Sequence, residues 1–332
     1  MPISQKLQEK LQVYEQAYFG LDLPVPFKKD LFIYPVTVKD YYKFYSNLSC
    51  LTMDKNVVKK KQLNDKGFEE IVEVSNPKGI SQSYMAYLIE QMENDEYGSI
   101  LTAQVIALLE LVMHIKNGFY CPNCHEGELK YSDMLIDIKK IENDSTLSDD
   151  EKLKKKREYF LLNSVCPHCG QPRRDIFCIK DTGTIKKICV YDNELSPQDF
   201  DELIAIILHY NILDYDGDRY IDPLLKKDLE AKAQLQNKNY NSPSLEKQLV
   251  CISISSPYKI EELKDISLRK LTMMLKTIDA KNVYYTQLSG MYSGMVKFKS
   301  EPKHWIFSDN KKDMSKEVMM MNDVKEKFKH VT

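Results

Sequence analysis

The sequence predicts an α+β, mostly helical fold, with a small cysteine-knuckle ribbon inserted between an N-terminal α+β domain and a C-terminal helical domain. Three observations carry this. Two Cys-x-x-Cys pairs stand in mid-chain, Cys121 with Cys124 and Cys166 with Cys169. Apolar residues recur with helical period over most of the chain on either side. Runs rich in β-branched and aromatic residues read as strands at 31–38 and around the knuckles. The implied boundaries are 1–118, 119–192 and 193–332, with a helical insertion at about 130–163 inside the ribbon.

The knuckles are the most specific feature. Cys121-Pro-Asn-Cys124 and Cys166-Pro-His-Cys169-Gly170 each put two thiolates on a tight turn, and four thiolates make a closed tetrahedral set, the preferred shell of structural Zn2+. Proline within each turn and Gly170 after the second suit the reversal that aims both sulfurs at one point. Of the 8 cysteines, only these four are paired at this spacing; a disulfide framework would spread them through a small secreted domain. Cys50, Cys178, Cys189 and Cys251 are therefore read as reduced core or near-site residues.

Composition bounds the rest. A chain of 332 residues can bury a large core, and 43% hydrophobic with 29% charged residues is the balance of a soluble globular protein. A net charge of -2 and a pI of about 6.3 supply no overall basic field for nucleic acid. The N-terminal residues lack an apolar segment of signal-peptide type, and the most apolar run, 100–112, contains Glu110 and is shorter than the ~20 residues a membrane span needs. The expected setting is cytosolic, with no membrane partner.

In chain order, 4–19 reads as an amphipathic helix with Leu7, Leu11, Tyr14 and Tyr18 on one face, and the Pro-containing stretch 23–27 breaks it. Residues 31–38 read as a strand that Pro35 moves towards a sheet edge. Asp40 is expected to cap a helix carrying Tyr41, Tyr42, Phe44 and Tyr45, whose aromatic face is read as packing against the strand in preference to stacking on bases. Lys59, Lys60 and Lys61, beside Glu69, Glu70 and Glu73, read as a solvated face. Ser81 or Ser83 caps a helix over 84–90, and 100–115 is apolar on most faces and should be the central helix of its domain, with His114 as a capping or core residue near its end.

The ribbon begins with a strand at 118–121. Residues 125–165 separate the knuckles, about twice the ~15–20 residues of compact ribbons. The excess holds a polar loop, a basic helix over 152–157, and an apolar end at 159–162. Lys152, Lys154, Lys155, Lys156 and Arg157, with Arg173 and Arg174, are the candidate nucleic-acid contacts. Asp149, Asp150 and Glu151 open the same helix, so an exposed amphipathic arm is preferred, equally able to touch a protein. A hairpin over 175–180 and 184–191, turning at Gly183, completes the ribbon sheet. Cys178 and Cys189 lie on its strands and could substitute for a knuckle thiolate, but the spacing favours the Cys-x-x-Cys pairs. His125 and His168 read as groups beside the site.

Beyond it, Ser196-Pro197 opens a helix through Phe200, Leu203, Ile204, Ile207 and Leu208. The acidic loop 214–222 departs from a calcium loop, with glycine fourth and Leu225 twelfth, so it reads as a polar turn before a helix over 224–236. A polar connection at 237–244 precedes an amphipathic helix at 262–278, its continuation at 284–295 carrying Gly290 and Gly294, and a last Met-rich helix at 313–330. No phosphate-binding, dinucleotide, serine-nucleophile or metalloprotease motif occurs, and four sulfurs leave a metal no open position, so an enzyme is not expected.

Three features together resemble the baseplate-hub assembly proteins of large contractile-tailed phages. These are the Pro24-Val25-Pro26-Phe27 entry followed by 31–40, the Cys-Pro-x-Cys ribbon in mid-chain, and a helical end with 293–298 and His304-Trp305. The resemblance implies a non-enzymatic structural or virion-assembly protein of the phage tail or baseplate. It would act among other tail proteins in the infected host's cytoplasm or the virion, with homo- or hetero-oligomerisation left open. The alternative is a zinc-ribbon nucleic-acid-binding or transcription-associated protein.

Overall fold

A computed structural model describes residues 5–63, 69–78, 82–93, 98–125, 128–181, 183, 186–212, 243–293 and 302–307. The fold is α+β and mostly helical. The chain divides into two compact units, Met1–Tyr240 with Lys264–Arg269, and Asn241–Leu263 with Lys270–Thr332. The acidic loop at 214–222, the helix expected at 224–236, Gly294 and the Met-rich tail helix lie outside the described residues.

In the first unit, α1 (Gln5–Ala17) buries Leu11 and Tyr14, and Phe19 follows in a short 3-10 turn. β1 (Val25–Lys28) and β2 (Leu31–Ile33) form an antiparallel hairpin pairing Val25 with Ile33. The strand expected over 31–38 is thus cut short at Pro35, which has no N–H to offer a ladder. Beyond it, Thr37 bridges Ser267, Val38 N–H donates to Ile266 O (2.9 Å), and Leu268 N–H to Val36 O (2.9 Å). Asp40 does not cap α2 (Tyr41–Leu48): its carboxylate accepts from the Thr37 hydroxyl (3.1 Å), and a 3-10 turn leads into the helix instead. Of the α2 aromatics only Phe44 is buried.

The charged stretch read as a solvated face is a hairpin, β3 (Val57–Leu63) with β4 (Glu69–Ser75), whose register sets Lys59 opposite Glu73. α3 (Tyr84–Met92) is capped by Ser83, whose hydroxyl accepts from Ala86 N–H (3.2 Å). α4 (Gly98–Met113) buries Leu101, Val105, Leu108, Leu109, Val112 and Met113 and is the central helix expected. His114 ends it in the left-handed region (φ 54) and stacks on Tyr34 at 3.9 Å; burial pushes its imidazole below the usual pKa.

The ribbon lies within this unit. Strands β5 (Gly118–Tyr120), β6 (Leu129–Lys130) and β7 (Arg174–Asp175) form one sheet in the order β6-β5-β7. Between β6 and β7 stands a helical hairpin, α5 (Tyr131–Asn143) and α6 (Asp149–Asn163), so the insertion holds two helices where one basic helix was read. A capping box between Ser148 and Glu151 starts α6. β8 (Phe177–Asp181), β9 (Lys186–Val190) and β10 (Asn193–Glu194) form a second three-stranded sheet, so the expected hairpin has a sheet of its own. Ile176 links the two: its N–H donates to Gly118 O (2.8 Å) and its O accepts from Tyr191 N–H (2.7 Å).

α7 (Pro197–Asn211) closes the core. A capping box between Ser196 and Asp199 begins it, with Pro197 in the first turn. Phe19 stacks on Tyr210 at 4.4 Å, a contact worth ~0.5–1.5 kcal/mol beyond area. Asn211 is buried and satisfied on both sides: Val36 N–H donates to its Oδ1 (2.8 Å), and its Nδ2 donates to Ile207 O (2.9 Å). Arg269, also buried, donates to His209 O (2.9 Å), pairs with Glu15 and lies over the Phe19 ring.

The second unit holds α8 (Leu245–Ser255), capped by Ser244, then α9 (Ile260–Leu263) and most of α10 (Leu268–Tyr292). The two helical stretches expected at 262–278 and 284–295 are therefore one helix from Leu268 to Tyr292, with Gly290 inside it. Among the described residues of this unit, Leu249, Ile252, Leu263 and Leu271 are buried.

Candidate metal centre

The topology brings the knuckles to one end of one sheet. β5 runs directly into Cys121, and β7 leaves the second knuckle, paired to β5 with Tyr120 opposite Arg174 and Phe119 opposite Asp175. Gly118 permits the third strand: a Cβ there would stand 2.0 Å from Leu129 O, so any side chain would push β6 off. The second knuckle is itself a small hairpin, closed by Cys166 N–H to Gln171 O (2.8 Å) and Arg173 N–H to Ser164 O (2.9 Å).

The knuckles repeat each other in backbone detail. His125 N–H donates to Cys121 O (3.0 Å), and Gly170 N–H donates to Cys166 O (2.9 Å). Both of these residues are left-handed, His125 at φ 56 and Gly170 at φ 72. In each turn the backbone N–H groups two and three residues on point at the first sulfur, from Asn123 and Cys124 to Cys121, and from His168 and Cys169 to Cys166.

The four sulfurs converge. Sγ of Cys121 lies 3.4 Å from that of Cys169, Sγ of Cys124 lies 3.6 Å from that of Cys166, and all four are within 4.8 Å of one another. A metal bound by four thiolates at ~2.3 Å sets its sulfurs ~3.8 Å apart, so these residues fit a four-coordinate ion. Cys121 and Cys166 are buried, Cys124 and Cys169 half-buried. The Cys124 N–H holds the Cys121 thiol down to about 6, helped by Asn123 N–H against the effect of burial. Burial acts on Cys166 too, but the His168 and Cys169 N–H groups outweigh it and leave its pKa lowered. Thiolates are the metal-binding form, so the backbone has prepared these sulfurs to ligate. The site can hold a metal ion.

The remaining cysteines stand apart. Cys178 and Cys189 face each other across β8 and β9 and are outside the four-sulfur group; burial first, then Cys178, pushes Cys189 up to about 11. Cys50 is buried, with its thiol pushed up to about 12 by desolvation, and Cys251 is exposed. His125 and His168 contribute no ring nitrogen to the group. What sequence reasoning missed is the role of His125 as the counterpart of Gly170, for which the matching position after each Cys-Pro-x-Cys was the available signal.

The basic residues do not gather into one array of free cations. Lys156 pairs with Glu142 (2.6 Å), Arg174 with Asp192 (3.2 Å), and Arg173 Nη1 donates to Asn163 O (3.0 Å). Lys154, Lys155 and Arg157 are exposed on α6, and Lys152 is partly covered.

Residues 236–308 match the family model described as the YomV second domain, from a phage-encoded protein family. The match covers the described helices α8 to α10 and lies outside the ribbon. No curated protein and no solved structure matches the chain. Among the described residues no helix is long and apolar enough to cross a membrane.

Proposed function

We propose that this chain is a non-enzymatic structural or assembly protein of a phage tail or baseplate, stapled by one structural zinc ion and acting through protein contacts. The observation that carries the zinc assignment is the closed set of four sulfurs, two of which, Cys121 and Cys166, are both buried and held by backbone N–H groups. Four thiolates leave no position for a substrate or an activated water, which fits a staple and not a catalyst. Zinc suits such a set because it imposes no geometry beyond the tetrahedron and has no redox chemistry to protect. The phage context is supported by the match at 236–308, and the tail or baseplate role by the resemblance in the sequence.

The test is affinity purification of the tagged full chain from phage-infected host cells, with metal quantified in the same sample. About one zinc per chain, together with tail or baseplate proteins, is the expected result. Zinc with nucleic acid or polymerase subunits would replace this reading with the nucleic-acid alternative. A sample without zinc would remove the staple.

A further inference from the structure

We propose that Cys178 and Cys189 form a reversible dithiol–disulfide clip across the β8–β9 ladder, a modification site closed by exchange with a low-molecular-weight disulfide of the glutathione class. The clip is independent of the assembly reading above and of the metal centre.

The register places the two residues directly opposite each other on antiparallel strands, so their side chains leave the same face of the sheet. Both thiols are free, and they lie within hydrogen-bonding reach of each other. Opposed residues of such a ladder have Cα atoms ~4.5–5.5 Å apart, inside the ~4.4–6.8 Å that a disulfide spans. Their Cβ atoms stand ~4.5–5.5 Å apart, against ~3.5–4.5 Å in a relaxed disulfide, so closure draws the strands together by up to ~1 Å. A bond made under that strain is readily reduced again, which makes the clip reversible.

The two sulfurs differ in access. β8 is the outer strand in the order β10-β9-β8, and Cys178 is half-buried on it. Cys189 is 0% exposed on the middle strand, flanked by Cys178 on one side and Glu194 on the other. Charge does not separate the pair, because Lys180 and Glu194, bonded to each other at 3.1 Å, lie beside both sulfurs together. Access therefore sets the order. The Cys178 thiolate attacks one sulfur of the reagent, RSSR, forming a mixed disulfide and releasing one thiolate, which takes up a proton. Cys189 then gives up its proton and attacks the Cys178 sulfur, expelling the second RSH. Two protein thiols lose two electrons and two protons, and RSSR becomes two RSH. The knuckle sulfurs are a separate group and, with zinc bound, are engaged by the ion.

The experiment incubates the zinc-loaded full chain with oxidised glutathione, alkylates the remaining thiols, and maps peptides by mass spectrometry with zinc measured on the same sample. Exposed Cys251 is the internal reference for reagent activity. The expected result is a 178–189 crosslink in most chains, unchanged zinc, and full reversal by excess reduced glutathione. Closure should also slow amide exchange over 177–181 several-fold. Cys189→Ser should leave glutathione trapped on Cys178, and Cys178→Ser should leave Cys189 unlabelled. A pair that stays reduced while Cys251 is labelled, glutathione on Cys189 in the Cys178→Ser chain, or crosslinks that enlist a knuckle cysteine with loss of zinc would each overturn the clip. The crosslink is read on the unaltered chain, so a variant that fails to fold leaves the test standing.

Discussion

Exchanging the two residues that follow the knuckles should move stability in opposite directions. Gly170 (φ 72) and His125 (φ 56) hold the same left-handed conformation, and each donates its N–H to the carbonyl of the first cysteine in its knuckle. A Cβ at Gly170 would meet nothing within 4 Å, so Gly170→Ala creates no clash and its cost is purely torsional. The left-handed conformation costs an L-residue ~1–2 kcal/mol, and removing glycine's freedom in the unfolded chain returns ~0.5–1 kcal/mol. The net expectation is a destabilisation of up to ~1.5 kcal/mol. His125→Gly relieves the same strain, and since His125 is exposed it should stabilise by up to ~1 kcal/mol. Because ligand order is coupled to metal binding, both shifts should also appear in metal affinity, about two- to tenfold in opposite senses. Chelator competition on the purified full chain reads the affinity, and denaturant unfolding reads the stability. Shifts of the same sign, or a loss above ~3 kcal/mol for Gly170→Ala, would refute the torsional account.

Three further outcomes follow from the ribbon. The Cys121 thiol is held at about 6, below the ~8.5 of an unfolded thiol, so its contribution is full above the unfolded value and lost as pH falls through about 6. Bound metal holds the thiolate lower still, so equilibrium dialysis from pH 8.5 downward should show metal kept until about pH 6 or below; release at pH 7 or above would contradict this. Metal removal should loosen 119–192 in hydrogen exchange while α4 keeps its protection, and unchanged protection in the ribbon would sink the staple. Gly118→Ala puts a Cβ 2.0 Å from Leu129 O, so β6 must move by more than 1 Å; a loss of ~1–3 kcal/mol in denaturant unfolding is expected, and a neutral result would show that β6 gives way freely.

The parts of this fold that were legible in the sequence are those written locally. Cys-Pro-x-Cys spacing gave the four sulfurs, Ser196-Pro197 gave the start of α7, and apolar periodicity gave α4. What failed depended on partners far away. Pro35 was visible, but nothing near 36–38 says that its ladder partner is 266–268. The β3–β4 hairpin was hidden because its lysines and glutamates read as separate charge runs, when the register sets Lys59 against Glu73. Asp40 had the right residue type for a cap, yet Thr37 three residues earlier competes for the carboxylate. α5 went unread although Met134, Ile138 and Ile141 stand at helical spacing, and of its side chains only Met134 is buried. Nothing in the sequence marks Arg269, whose place over the Phe19 ring and against Glu15 is set by tertiary packing.

The strap at Lys264–Arg269 belongs to the first unit although the chain has already entered the second by then. This bears on the order of events at the ribosome. When α7 is complete at Asn211, the backbone at Val36 and Val38 still lacks the partners it will have, Leu268 N–H and Ile266 O, and Glu15 has no arginine. More than fifty residues must then be made, ~3–10 s of synthesis at ~5–20 residues per second. For that interval the nascent first unit carries an open seam along 36–38. Truncation before 264 would make the seam permanent, so a fragment ending at α7 is not an independent version of this unit.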